Sequence, residues 1–177
     1  RVIKVAQGAA MMTETRMEYE LYAGLSDMIP NRVVAEDLNQ ALLDVGMPEF
    51  TQEEKDFARA FFYGCDQGEA LEKKIARVEA LYGKEKLEFP LATDVTPINW
   101  NAPAMAGSTD VGDASYVMPL AFLGVGTCVL GTAPHTWQMT AQGKTSIAHK
   151  MMLQSGKAMA LAGVRMCQQP ERVQAAK

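Results

Sequence analysis

Residues 106–116, AGSTDVGDASY, and residues 131–138, GTAPHTWQ, flank an almost unbroken apolar segment, VMPLAFLGVGTCVL, at residues 117–130. The apolar segment is too rich in glycine for a stable helix, and a continuous apolar run of this kind is typical of a buried strand. We therefore predict a central strand that carries a polar loop at each end. Several polar side chains of the two loops would then lie within reach of one another: Ser108, Thr109, Asp110, Asp113 and His135.

The composition is that of an ordinary globular protein. Of the 177 residues, 48% are hydrophobic and 21% are charged, with a net charge of −4, so the chain can form one domain with a core, or one domain plus a piece of another. Because the basic residues are dispersed, we expect neither nucleic acid nor an anionic membrane surface as a partner. No stretch reaches the roughly 18 apolar residues of a membrane span, so we expect a soluble, cytoplasmic protein.

The three cysteines do not predict a disulfide framework. Cys65, Cys128 and Cys167 are odd in number and far apart, which favours reduced thiols in a cytosolic protein. The chain opens on Arg1 and goes straight into a patterned segment. We therefore expect it to be a fragment of a longer protein.

The first 30 residues differ in pattern from the rest. Residues 1–12 are rich in Ala and Met, with apolar residues at helical spacing, and indicate the end of a helix. Residues 13–23 alternate between apolar and polar side chains, which is typical of an antiparallel strand with one wet face. Residues 24–30 break this alternation, and we place a domain boundary there.

Two local signals predict helices in the middle of the chain. Asn31 can cap a helix that ends at Gly46. Thr51 and Glu54 have the spacing of a capping box that introduces a second helix. With a third helix at residues 69–82, the second would form a helical hairpin that covers a surface.

A last long helix is predicted at residues 145–167. Its many small residues permit close packing, so we expect it to lie flat against the central strand. The polar tail from Gln168 is expected to fray.

His135 is the histidine best placed for chemistry. It follows Pro134 at the end of the predicted strand, where its ring could project into a cleft. The pattern leaves open a metal or acid–base role and a structural role in a loop. His149 lies inside the last predicted helix and is expected to be a surface or packing residue. Neither a His-x-x-x-His pair nor a cysteine pair at ligand spacing occurs, so the chain alone does not supply a zinc site.

The loop before the apolar segment could receive an anion. Residues 107–109 offer backbone amides and two hydroxyls for a carboxylate, although a simple turn would use the same residues. Asp110 and Asp113 could bind a cation, orient a histidine, or cap a helix or turn. A catalytic triad of Ser108, His135 and an aspartate is not expected, because the serine lacks the flanking glycines of a nucleophile elbow.

Three motifs of the second half resemble the aminobenzoyl-glutamate utilisation protein B group of M20-type metallo-amidohydrolases. They are GSTDVGD at residues 107–113, GTAPHTWQ at residues 131–138 and GKTSIAHK at residues 143–150. The likeness covers nearly the whole chain and extends to shorter motifs near its start: AQGAA at residues 6–10, MTET at residues 12–15 and IPNR at residues 29–32.

The resemblance implies an α/β fold in two parts. Residues 1–29 would be the last helix and strand of an α+β, ferredoxin-like lid domain that mediates dimerisation. Residues 30–177 would be the C-terminal part of a zinc-peptidase-like α/β catalytic domain. The partners implied are a small-molecule amide substrate and either a second copy, bound through the lid, or a related subunit.

The resemblance also implies a site. His135 matches the family's last metal ligand, for zinc or manganese, and four residues match the loop beside the metals that contacts substrate: Gly107, Ser108, Thr109 and Asp110. Thr109 departs from relatives that carry Glu there. The general-base Glu and the other metal ligands are expected upstream, so the metal site of this chain would be incomplete and none of its residues is assigned a catalytic role.

The function implied is that of a metal-dependent amidohydrolase. The longer enzyme would cleave p-aminobenzoyl-glutamate or a similar N-acyl amino acid, whereas these 177 residues alone would be inactive. The alternative is a catalytically inactive fragment that acts only as a structural or oligomerisation piece.

Overall fold

The structure, a computed structural model, describes residues 1–101, 107 and 109–177. Eight α-helices lie in these residues, and a 3₁₀ turn at Lys84–Leu87 follows the fourth. The helices are α1 (Val2–Met12), α2 (Arg32–Val45), α3 (Gln52–Gly64), α4 (Gly68–Tyr82), α5 (Val111–Ser115), α6 (Trp137–Gln142), α7 (Ser146–Gln168) and α8 (Pro170–Ala176).

The described residues contain no strand, so the predicted α/β class is wrong for this part of the chain, which is helical. The central strand predicted at residues 117–130 is irregular backbone. Its backbone bonds go to different neighbours: Leu120 O accepts from Asn31 N at 2.6 Å, and Leu130 N donates to Pro90 O at 2.8 Å. A strand needs a ladder of such bonds to one neighbouring strand, and these contacts do not form one.

The strand predicted at residues 13–23 is wrong for the same reason. Helix α1 ends at Met12 as expected, but the segment that follows has no regular structure and is almost entirely exposed. The side chains of Tyr19 and Leu21 are 64% and 87% exposed. An alternating pattern stabilises a strand only when another strand pairs with its backbone and a core receives its apolar face. Neither is provided by the described residues.

The predicted helix caps are confirmed. The Asn31 side chain accepts from Val34 N at 3.1 Å at the start of α2, which Gly46, with φ of 75°, ends. At α3 the capping box is complete, because Glu54 N donates to Thr51 Oγ1 and Thr51 N donates to Glu54 Oε2. These bonds satisfy N–H groups that have no partner inside the helix.

One hydrophobic cluster joins α3, α4 and the first half of α7 to the irregular segments. Its buried members include Phe62 of α3, Val78 of α4 and Met151 of α7, together with Leu91 and Val129. The hairpin of α3 and α4 therefore does more than cover a surface, because it supplies three of the nine buried residues of this cluster.

A second cluster joins α2 to the second half of α7. Ala41 and Leu42 of α2 pack against Ala158 and Ala162 of α7. The small residues of α7 do allow a close approach, as expected, but the partner is a helix and not the predicted central strand. Short side chains at a crossing let two helix axes come close together.

The C-terminal tail is helical and docked, so the expectation that it frays is wrong. Helix α8 begins at Pro170, and Ala176 is buried. Asn31 Nδ2 donates to Ala176 O at 2.7 Å, and Arg172 forms an ion pair with Asp37 of α2. The tail thus closes against the start of α2.

The contact between α2 and α7 can be tested by enlarging one residue. Ala158→Leu should lower the free energy of unfolding by about 1–3 kcal/mol, because Ala158 is fully buried and added methyl groups overpack the crossing. Ala160→Leu, on the exposed side of the same helix, should change it by less than about 0.5 kcal/mol. Urea unfolding measures both, and equal effects would contradict the described packing.

Candidate functional site

The segment that carries His135, residues 131–136, is a tight irregular loop between the core and α6, and we name it the His135 loop. It begins at Gly131, with φ of 79°, and contains His135 with φ of 59°. A φ in this range is uncommon for residues other than glycine and is found mainly in turns and functional sites. The side chain of His135 is exposed, so its ring is accessible from outside the described residues.

Gln142 of α6 holds the base of the His135 loop in place. Its side chain is 1% exposed. Its Oε1 accepts from Val129 N at 2.8 Å, and its Nε2 donates to Thr132 Oγ1 at 3.1 Å and to Gln138 O at 3.0 Å. Each polar atom of the buried amide is therefore used, as burial of such a group requires.

The loop also contacts α4. A Cβ atom at Gly131 would lie 2.9 Å from Lys74 Cγ and 3.0 Å from Val78 Cγ2. Only glycine permits both this approach and the left-handed backbone. Gln142 and α4 thus both hold the start of the His135 loop, at Thr132 and Gly131.

The predicted substrate loop lies at the start of α5. Gly107 is exposed, Thr109 Oγ1 accepts from Val111 N at 3.3 Å, and Asp110 is an exposed N-cap whose side chain makes no capping bond. Ser108 lies outside the described residues. Of the roles that the sequence left open, the described contacts show a turn at Thr109, and the exposed carboxylate of Asp110 stays accessible to a ligand.

Asp113 has a role that the sequence alone did not assign. Its Oδ1 accepts from Ser26 N at 2.9 Å, and hydrogen bonds from the side chain and backbone of Ser26 hold the pKa of its carboxyl below its usual value. The described side-chain bond of Asp113 therefore goes to Ser26, and its carboxylate makes no described bond that caps α5 or joins His135. It ties α5 to residues 24–30, where the domain boundary was predicted.

Further contacts strengthen the link between α5 and residues 24–30. Ile29 N donates to Ser115 Oγ at 2.9 Å, and Tyr116 OH donates to Asp27 Oδ1 at 2.6 Å. The Asp27 carboxylate raises the pKa of Tyr116. A Cβ atom at Gly112 would lie 2.3 Å from Ser26 O, so this glycine is needed for the close approach. Hydrogen bonds and a close backbone approach thus connect the predicted domain boundary to the helix that follows the predicted substrate loop.

The two loops are not joined to each other by any hydrogen bond or ion pair in residues 1–101, 107 and 109–177. No three His, Cys, Asp or Glu side chains among them come together as a metal site. His149 lies exposed on α7, as expected for a surface residue. The described part of the chain therefore does not by itself bring together three side-chain ligands for a metal ion.

Cys128 lies just before the His135 loop. Burial raises the pKa of its thiol, and a hydrogen bond with Thr132 offsets only part of this rise. The protonated thiol is a poor nucleophile, so the loop offers no activated cysteine.

None of the described helices combines the length and the apolar character required to traverse a bilayer.

Sequence reasoning missed the buried amide of Gln142 and the bonds of Ser115 and Tyr116 to residues 24–30. The sequence next to Gln142 gives no sign that its side chain is buried, because its partner Val129 lies 13 residues earlier. The sequence carried one weak signal for the contact between α5 and residues 24–30. Gly112 lies between two aspartates, where a glycine can permit close approach of another backbone.

The role of Gln142 can be tested by removing its side chain. Gln142→Ala should lower the free energy of unfolding by about 1–3 kcal/mol, since Val129 N–H loses its buried acceptor. Hydrogen exchange at the Val129 amide should accelerate. Gln168→Ala, at an exposed position of α7, should change neither quantity appreciably. An unchanged Val129 exchange rate in Gln142→Ala would contradict the described hydrogen bond.

No family model and no solved structure matches this chain. It is 39% identical over 173 residues to the B subunit of p-aminobenzoyl-glutamate hydrolase from Escherichia coli (strain K12). The match covers 94% of this chain and 36% of that relative, so the chain spans little more than a third of the relative's length. The resemblance seen in the motifs is thus confirmed by a protein to which nearly the whole chain is similar.

Proposed function

We propose that this chain is the C-terminal part of a metal-dependent amidohydrolase that cleaves p-aminobenzoyl-glutamate or a similar N-acyl amino acid. The observation that carries the proposal is the 39% identity to a protein named as a hydrolase of this substrate, sustained over 94% of the chain. The motifs around Gly107 and His135, on which the resemblance rests, support it further.

We assign residues 1–29 to the end of a lid and dimerisation domain, and residues 30–177 to the catalytic domain. The burial pattern supports this division. Helix α1 has no buried residue, whereas both hydrophobic clusters are built from residues beyond Asn31. The first 29 residues contribute nothing to that core, as expected if they belong to another unit.

We assign His135 as one ligand of a zinc or manganese ion. Its exposed ring and left-handed backbone support this role, and a neutral imidazole is a good ligand for either ion. The described residues do not complete the site, since no three potential ligands lie together. A bound metal would lower the pKa of a water molecule and so supply the nucleophile for amide hydrolysis. The remaining ligands and the general-base Glu would come from outside these 177 residues.

The chain's own contribution would be binding and orientation. Gly107, Ser108, Thr109 and Asp110 would contact the substrate next to the metal. The bonds of α5 to residues 24–30 support a loop held at a fixed position relative to the lid connection. Two other carboxylates are already occupied: Asp113 by Ser26, and Glu54 by Lys150 at 2.7 Å. Neither is free to act as a general base.

We also propose that the protein assembles with other subunits. The name of the relative describes it as one subunit of a hydrolase, which implies for that protein a complex with at least one other subunit. For this chain the assembly would be either a homodimer through residues 1–29 or a hetero-oligomer with a related subunit. The exposed apolar side chains of this region support such a contact, with Val2 at 84% and Leu21 at 87% exposure.

The same exposed residues favour the second candidate function, in which the chain is catalytically inactive and acts only in association with other subunits. The two candidates differ in whether His135 contributes to metal binding and cleavage in the intact polypeptide.

Replacing His135 in the intact polypeptide tests the proposed function. His135→Ala should lower bound metal and the rate of p-aminobenzoyl-glutamate cleavage by about 100-fold or more, because even a change beside a metal ligand costs 10–100-fold. His149→Ala is the matched control, since His149 is also exposed, and it should retain both. Metal analysis and release of p-aminobenzoate measure the outcome.

The isolated 177-residue chain should not cleave the substrate. If His135→Ala keeps its metal and activity, the ligand assignment is wrong. If the intact polypeptide has neither metal nor activity yet forms stable oligomers, the association role replaces the enzymatic one.

A further inference from the structure

A cleft of about 250 Å³ lies between the end of α3, one face of α4 and the start of the His135 loop. We name it the α4 cleft. Its charged lining consists of Lys73, Lys74 and Arg77 of α4 with Asp66, and its apolar lining includes Phe61 and Ala70. Three cationic side chains against one carboxylate make it a positive site on a chain whose net charge is −4.

The three cations converge because of helix geometry. Arg77 lies three residues after Lys74 and four after Lys73, and residues at these spacings share one helix face. The face is turned towards Gly131, whose backbone approaches the side chain of Lys74. The positively charged face of α4 therefore lies next to the His135 loop.

These cations retain capacity for a ligand. Arg77 is exposed and has no ion-pair partner in the part of the chain that the structure describes. Lys73 pairs with Glu69 at 2.6 Å, but both side chains are more than 70% exposed, and such surface pairs contribute little and break easily.

Lys74 anchors the floor of the cleft. Its side chain is 11% exposed, and its ammonium group donates to Asp66 Oδ2 at 2.6 Å and to Phe62 O. An ammonium group has three N–H donors, so one is left for a ligand oxygen.

The cleft adjoins the predicted metal ligand. Ala133 lines it, and His135 follows two residues later, so the two Cα atoms are at most about 7 Å apart. A ligand with a carboxylate in the cleft could thus place another group beside His135.

We propose that the α4 cleft binds the carboxylate of a glutamate-type dicarboxylic ligand, with Arg77 as its principal contact. A guanidinium group can bind a carboxylate with two parallel hydrogen bonds, and Lys73 and Lys74, one turn earlier on α4, add positive charge beside it. The choice of a glutamate-type ligand rests on the proposed function. The positive charge of the cleft is independent of the proposed function. Neither His135 nor a metal takes part in the proposed contact between Arg77 and the carboxylate.

Binding of glutarate to the 177-residue chain tests the proposal directly, by calorimetry at low salt. Glutarate should bind, and Arg77→Gln should raise its Kd at least about tenfold, as expected for loss of a charged hydrogen-bonding partner. Lys73→Gln should raise it less. Arg59→Gln removes the same charge from an exposed position of α3 outside the cleft and should leave the Kd within about twofold.

Two ligand controls separate carboxylate recognition from general anion binding. Glutaramide, which is neutral, should not bind, and inorganic phosphate should bind at least about tenfold more weakly than glutarate. Equal affinity for phosphate, no binding of glutarate, or equal effects of Arg77→Gln and Arg59→Gln would each overturn the proposal. Circular dichroism of each variant checks that the helices are retained, and Lys73→Gln provides the second variant if Arg77→Gln does not fold.

This assay contains no metal and measures no cleavage. Failure here leaves the proposed hydrolase standing, whereas failure of the His135→Ala experiment leaves binding in the α4 cleft intact.

Discussion

Helix α7 is the element on which the two hydrophobic clusters depend. Its first half places Ile147 and Met151 in the core with α3, α4 and the irregular segments, and its second half places Ala158 and Ala162 against α2. Because side chains of a straight helix keep fixed relative positions, α7 sets the distance between the two clusters. The tail helix α8 and the start of α2 then close against each other through Asn31 and Ala176.

The two loops that the motifs single out are irregular, but each is firmly held. Gln142 and α4 both hold the start of the His135 loop, and Asp113 ties α5 to residues 24–30. Irregular backbone on a rigid helical support is a common arrangement for binding residues. The α4 cleft adds positive charge next to one of these loops. The described part of the chain therefore holds both motif loops on helices and places a positively charged cleft beside one of them.

Local signals in the sequence were sufficient for the five longest helices, α1, α2, α3, α4 and α7, but not for helix α8 or for the predicted strands. The caps at Asn31 and Thr51 act within four residues, so the sequence reveals them. A strand depends on a partner that its own pattern does not identify, and for residues 13–23 and 117–130 the described residues provide none. Gln142 was missed because its role depends on Val129, which folding brings near. His135 was identified through its motif, and its metal role remains a prediction, because no three potential ligands come together in the described residues.

The two proposals meet at one place, where the metal ligand His135 would lie beside the carboxylate site on α4. A crystal structure of the intact polypeptide with zinc and glutarate, recorded at the zinc absorption edge, would show both groups at once. We expect an anomalous peak about 2.0–2.1 Å from a ring nitrogen of His135 and a glutarate carboxylate at Arg77. A peak bound only by other residues, with His135 pointing away and the α4 cleft empty, would contradict both proposals.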